Sequence, residues 1–192
     1  MANKTTYVPR LKVLYSDKLV AELKKELDLA NVHQVPKLEK IMVSVGTGKK
    51  KDDKHHLETV KNNVAKVTGQ IAVERKPKKS IASFKIRKGM GSPVGVLTTL
   101  RGARMYEFLD RFINVSLPHV RDFHGVKLNA FDAQGNYSLG ITEQSIFPEL
   151  SFEDTLTSHG MEITFVIKNG SALSSKLLLE KFGLPFEREE KK

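Results

Sequence analysis

Ser80-Ile81-Ala82-Ser83-Phe84-Lys85-Ile86-Arg87 and, after a turn, Val94-Gly95-Val96-Leu97-Thr98-Thr99-Leu100-Arg101 form the stretch on which the fold turns. Both halves are rich in β-branched and apolar residues, and Gly89, Gly91 and Pro93 between them are turn formers. The reading is two adjacent strands joined as a long hairpin. An adjacent strand pair excludes strict parallel winding, in which a helix separates successive strands. The expected class is therefore α+β, a mainly antiparallel sheet with helices packed on one face and the other face open.

Working outward, Leu38 to Val45 alternates, with Ile41, Val43 and Val45 on one face and Lys40, Met42 and Ser44 on the other. Met161, Ile163, Phe165 and Ile167 alternate in the same way, and Ile71 with Val73 marks a short strand. Helical spacing appears four times. Ser16 and Asp17 are placed to cap a helix carrying Leu19, Val20, Leu23, Leu27 and Ala30. Leu57, Val60, Val64 and Val67 make the next stripe, stopped by Gly69. Gly102 opens a helix with Tyr106, Leu109, Phe112 and Ile113 inward, ending before Pro118. The last runs from Ser171 with Leu173, Leu177, Leu178 and Phe182 buried, and stops at Gly183 and Pro185. Residues 121–150 read as loop-rich, with a turn at Asp132 to Asn136 and a turn or short helix opened by Glu153 and Asp154. The 192 residues are expected to form one domain with a core over about 15–186 and loosely held extensions at both ends.

A formal net charge of +10 asks for a polyanionic partner. Arg75, Lys76, Lys78, Lys79, Lys85, Arg87 and Lys88 crowd together with no acid among them, and the run leads into strands. A solvated basic loop is the plain alternative. The open sheet face should carry Met42, Ser44, Gln70, Leu97, Thr99, Arg101, Glu162, Thr164 and Lys168, a shallow and mostly polar or basic platform suited to RNA. Phe84 alternates with Lys85, so it either joins the core with Ile86 or stacks on a base.

No catalytic or metal chemistry emerges from the spacing. Val45-Gly46-Thr47-Gly48-Lys49-Lys50 lacks the four residues between glycines and the Lys-Ser/Thr of a P-loop. His55 and His56 would diverge on a helix, and His119 and His124 are five apart. Cysteine is absent, which excludes disulfides and thiolate sites and fits a reducing cytosol. No stretch approaches a membrane span, so a soluble chain without cofactor or metal is expected.

Lys79-Ser80-Ile81-Ala82, Phe84-Lys85-Ile86-Arg87, Thr99-Leu100-Arg101-Gly102, Arg121-Asp122-Phe123, Phe131-Asp132 with Gly135-Asn136-Tyr137-Ser138, and Phe147-Pro148-Glu149 occur in this order. Together they closely resemble the bacterial large-subunit ribosomal protein family that binds 5S rRNA, the universal L5 family, over about 15–186. The resemblance implies a non-enzymatic, cytoplasmic, ribosome-bound protein of the central protuberance. Its implied partners are 5S rRNA, 23S rRNA, P-site tRNA, a small-subunit head protein and neighbouring large-subunit proteins. It implies a 5S rRNA surface of Ser44, Gln70, Phe84, Lys85, Arg87, Thr99, Arg101 and Thr164. A tRNA-facing loop maps to Lys76, Lys78, Lys79, Ser80 and Ser83, and an intersubunit bridge region to Asp132, Asn136, Tyr137, Glu143 and Phe147. This chain departs from the family pattern in having Ser44 for the usual Asn, Tyr106 at a frequent Trp site, histidines at 119 and 124 where Arg is common, and a Gly89 to Gly95 loop about two residues longer. A free RNA-binding regulator is the second reading of the same platform, and an anionic-membrane binder a third that rests on charge alone.

Overall fold

The computed structural model describes residues 7–48, 53–84, 86–89 and 93–187. Its strands are β1 (Lys37–Gly46), β2 (Val73–Arg75), β3 (Gly95–Leu100), β4 (Tyr137–Ile141) and β5 (Met161–Lys168), in the sheet order β2-β3-β1-β5-β4. The helices are α1 (Arg10–Leu14), α2 (Val20–Glu26), α3 (Lys54–Thr68), α4 (Gly102–Arg111), α5 (Phe152–Thr155) and α6 (Ala172–Lys181). The fold is α+β with an antiparallel sheet, as the alternating segments require. Two compact units are present, one of residues 41–100 and 138–164, the other of residues 1–40, 101–137 and 165–192.

In the unit of residues 41–100 and 138–164 the core is aliphatic. Ile41, Val43 and Val45 on β1, Val96 and Leu100 on β3, and Ile163 on β5 are buried, together with Val60, Val64 and Val67 of α3. Each such side chain contributes roughly 1.5 to 3 kcal/mol by leaving water. Asp53 caps α3 by accepting from the His56 N–H at 3.1 Å, and Gly69 ends it at φ +67°, where a side chain would be strained. The other unit adds rings to its aliphatic core: Phe112, Phe131, Tyr137, Phe165 and Phe186 form a chain of ring contacts with centroids 4.7 to 6.3 Å apart.

Several expectations are corrected. The first helix begins at Arg10, not at Ser16: the Pro9 carbonyl accepts from Lys12 and Val13, Leu11 is buried, and Ser16 sits inside a π-helical stretch (Tyr15–Leu19) with its hydroxyl donating to the Val13 carbonyl. The expected long hairpin does not form. Ile81 and Ile86 exchange one pair of backbone bonds, and among the described residues of this segment no strand is formed. The reason is that β3 already has two partners, β1 from Ile41↔Leu100 to Gly46↔Gly95, and β2 from Val73↔Leu97 to Arg75↔Gly95. With both edges of β3 paired, residues 80–87 cannot form the expected hairpin with it.

Ile71 and Val73 are exposed and Ala72 is buried, the reverse of the expected phase, and the edge strand β2 is exposed along its whole length. Leu173 is exposed, while Ser174 and Ser175 of α6 are buried. The Ser171 capping box fixes that phase: the Ser171 hydroxyl accepts from the Ser174 N–H, and the Ser174 hydroxyl accepts from the Ser171 N–H. Strand β4 lies within the segment read as loop, and 3-10 turns carry the chain past Pro118 after α4.

Candidate nucleic-acid interface

Alternation along β1, β3 and β5 puts their larger apolar side chains into the core, so the intervening residues line the opposite face. On that face Met42, Ser44, Leu97, Thr99 and Thr164 are half-buried. The β1–β3 register pairs Met42 with Thr99 and Ser44 with Leu97, which makes adjacent small and polar side chains a continuous shallow surface. Gln70, just beyond the end of α3, reaches this surface through its side-chain amide, which donates to the Thr99 carbonyl at 3.0 Å. The Thr68 hydroxyl accepts from the Gln70 N–H at 3.3 Å and fixes the turn that delivers it. Ser138 of β4 extends the same face, with its hydroxyl 3.2 Å from that of Thr164. The sequence reading missed Ser138 because Gly140 obscured the alternation of Tyr137, Leu139 and Ile141.

Phe84 does not join the core. Its side chain is 68% exposed, because the segment that carries it is a loop and not a sheet strand. Lys76, Lys78, Lys79, Ser80, Ser83 and Arg87 are all exposed on the same loop, and Lys85 lies outside the described residues. The Ser80 hydroxyl accepts from the Lys88 N–H at 2.9 Å, closing the small turn between them.

Arg101 follows β3 directly and is exposed on extended backbone, φ −140° and ψ 162°. Its side chain caps nothing on α4, and it enters no ion pair among the described residues. A guanidinium held this way keeps its charge and its fork of donors for an incoming anion.

The residues mapped to a bridge region divide by burial. Tyr137 is fully enclosed, its hydroxyl donating to the Lys127 carbonyl at 2.8 Å, and burial, with Glu187 adding to it, pushes that hydroxyl up to about 12. Phe147 is likewise core. Both are therefore enclosed members of the region mapped to a bridge, and Asp132, Asn136 and Glu143 are its more accessible ones. Asp132 holds the turn. Its carboxylate accepts from the Asn136 side chain and from the backbone N–H groups of Asn136 and Gln134, which hold it below the usual carboxylate range. Asn136 accepts in turn from the Ile167 N–H at 3.1 Å. Glu143 is exposed.

No group of three metal-ligating side chains occurs among the described residues, nor any helix long and apolar enough to cross a membrane. Residues 31–87 match the family described as Ribosomal protein L5, and residues 93–186 match the family that describes the C-terminus of the same ribosomal protein. The chain is 49% identical over 182 residues to the large ribosomal subunit protein uL5 of Flavobacterium johnsoniae, spanning 95% of this chain and 98% of that one. The chain belongs to the ribosomal protein L5 family. The uL5 of Thermotoga maritima is 47% identical over 95% of this chain and 97% of its own length, and that of a Synechococcus species 49% identical over 92% and 97%. L5-family membership makes this a structural protein of the large ribosomal subunit and not an enzyme, ribosome-bound in the cytoplasm, and gives its positive charge an rRNA partner.

Proposed function

We propose that this L5-family chain binds 5S rRNA and attaches it to 23S rRNA in the central protuberance of the large subunit. The observation that carries the 5S assignment is the half-exposed sheet face of Met42, Ser44, Leu97, Thr99 and Thr164. It is too shallow to enclose a small ligand and too polar to be a core face. An A-form minor groove, read through its shape, phosphates and 2′-hydroxyls, fits such a surface. Phe84 supplies an exposed ring for stacking, and Lys85, Arg87 and Arg101 supply charge.

The lysine-rich loop of residues 76–83 reaches P-site tRNA in this reading. Its side chains point to solvent and are strongly cationic, as a contact made and broken each cycle requires. The region of residues 131–149 takes the intersubunit bridge to a small-subunit head protein, with Asp132, Asn136 and Glu143 near its surface and Tyr137 and Phe147 as support. Footprinting of 5S rRNA with the full-length protein tests the central claim. A protected helical segment that is lost when Phe84 and Arg101 are both replaced by Ala is expected. Protection that survives both changes removes Phe84 and Arg101 from the site.

A further inference from the structure

We propose that a cleft of about 670 Å³, walled by α1, the turn after it, the start of β1 and the first residues of α4, holds one unstacked nucleotide of ribosomal RNA. Its phosphate is gripped by Lys12, Lys37 and Lys168 at the rim. The inference rests on the RNA-binding reading above and names a contact for which that reading supplies no residues. The lining includes none of the residues assigned to the 5S face, although Arg101 of that face belongs to the same unit and precedes the lining residue Gly102 in sequence.

Three ammonium groups from three distant parts of the chain, an N-terminal helix and the ends of two strands, converge on one opening. Each is exposed, and none enters an ion pair among the described residues. They differ in this from Lys61, Lys66 and Lys181, which are paired with carboxylates at 2.6 to 3.2 Å. Glu39 also lies on the rim and subtracts one charge, which leaves the opening cationic by two. Unneutralised like charges repel, and the arrangement is relieved by an anion.

Below the rim the chemistry changes. Leu38, Met105 and Tyr106 are buried, Tyr15 is half-buried, and together they make an apolar and aromatic floor. The Tyr15 hydroxyl already donates to the Pro36 carbonyl at 3.0 Å, and burial pushes it up to about 12, so the floor carries no negative charge to repel a phosphate. A cationic mouth over an aromatic floor is the chemistry that binds a base and its phosphate together, and the volume falls within the range of sites that enclose small ligands. A phosphate alone would leave the floor uncovered, and a neutral apolar ligand would leave the lysines unmatched.

In the test, full-length protein is titrated against transcribed 5S rRNA and, separately, 23S rRNA across a salt series. The combined variant Lys12→Ala, Lys37→Ala and Lys168→Ala is expected to lose at least about tenfold in affinity for one of the two, with a log–log salt slope shallower by about two. The RNA affected identifies the source of the nucleotide. Ser16→Trp, placed from an exposed position into the cleft with every charge kept, is expected to weaken the same RNA. Removing three exposed lysines elsewhere, at 25, 54 and 127, is expected to cost less than about threefold. Unchanged affinity for both RNAs, an equal loss from the distant lysines, or an inert Ser16→Trp overturns the proposal. Urea midpoints check folding, and if the triple variant unfolds, Lys168→Ala with Ser16→Trp decides. If Phe84→Ala and Arg101→Ala leave 5S binding intact while the cleft variants lose binding, Phe84 and Arg101 leave the 5S site and the cleft stands. The converse result removes the cleft and keeps the sheet.

Discussion

The Gln70 side-chain amide donates to the Thr99 carbonyl at 3.0 Å, tying together two residues assigned to the 5S rRNA surface. One of them is therefore positioned by the other, and Gln70 shapes the surface before any RNA arrives. Gln70→Ala is expected to cost about 1 kcal/mol of folding stability, the usual net worth of such a bond, and also to weaken 5S rRNA binding. Urea denaturation and filter binding on the same preparation check both effects. Lost stability with unaltered RNA affinity would confine Gln70 to a structural role.

Arg101 lacks an ion-pair partner in the described residues, so its removal leaves no protein group stranded. Arg101→Ala should weaken 5S rRNA binding by about 1 to 3 kcal/mol and leave the denaturation midpoint almost unchanged. The salt dependence should also become shallower. An unaltered affinity removes Arg101 from the interface.

Lys78 and Lys79 are exposed on the loop assigned to tRNA. Replacing both by Ala should leave binding of isolated 5S rRNA within about twofold, while tRNA dissociates faster from the P site of ribosomes carrying the variant. An equal loss in both assays contradicts a division of labour between loop and sheet.

Gly135 adopts φ +77°, and a Cβ there would come within 2.7 Å of the Gly170 carbonyl carbon and 2.8 Å of the Ser171 nitrogen. Both neighbours are backbone and cannot swing aside. Gly135→Ala is expected to destabilise the protein by about 2 to 4 kcal/mol, combining left-handed strain with the clash. A midpoint shift corresponding to less than about 1 kcal/mol would show that the turn relaxes.

His159 is buried, and burial holds its imidazole below the ordinary value of 6.5, with the nearby His56 acting in the same direction. The folded state thus favours the neutral ring. Its contribution is full above pH 6.5 and is lost as pH falls below that value toward the lowered folded one. Urea midpoints should drop between about pH 7.5 and 5.5, and His159→Leu should flatten that drop. A variant with the same acid-side slope as the parent assigns the loss to other groups.

The core-facing phase of β1 and β5 was legible because one face of each is buried and the other is not, and a period of two then survives in the sequence. Helix α3 was legible down to its Gly69 stop for the same reason. The Ser80 to Arg87 segment carried a strand-like pattern and is a loop, because pairing is a property of the partner and β3 had no edge left to give. Of the two readings left open for Phe84, core packing is ruled out by its exposure.

The amino-acid sequence by itself determined the α+β class, the cationic character, the absence of thiolate chemistry and the family, since periodicity, charge and ordered motifs are properties of the chain. Only the tertiary structure decided which strands pair, which face of α6 turns inward, that Tyr137 and Phe147 are buried, and that three distant lysines share one opening. Those features depend on which surfaces compete for the same neighbours, and that competition is settled only when the chain is packed.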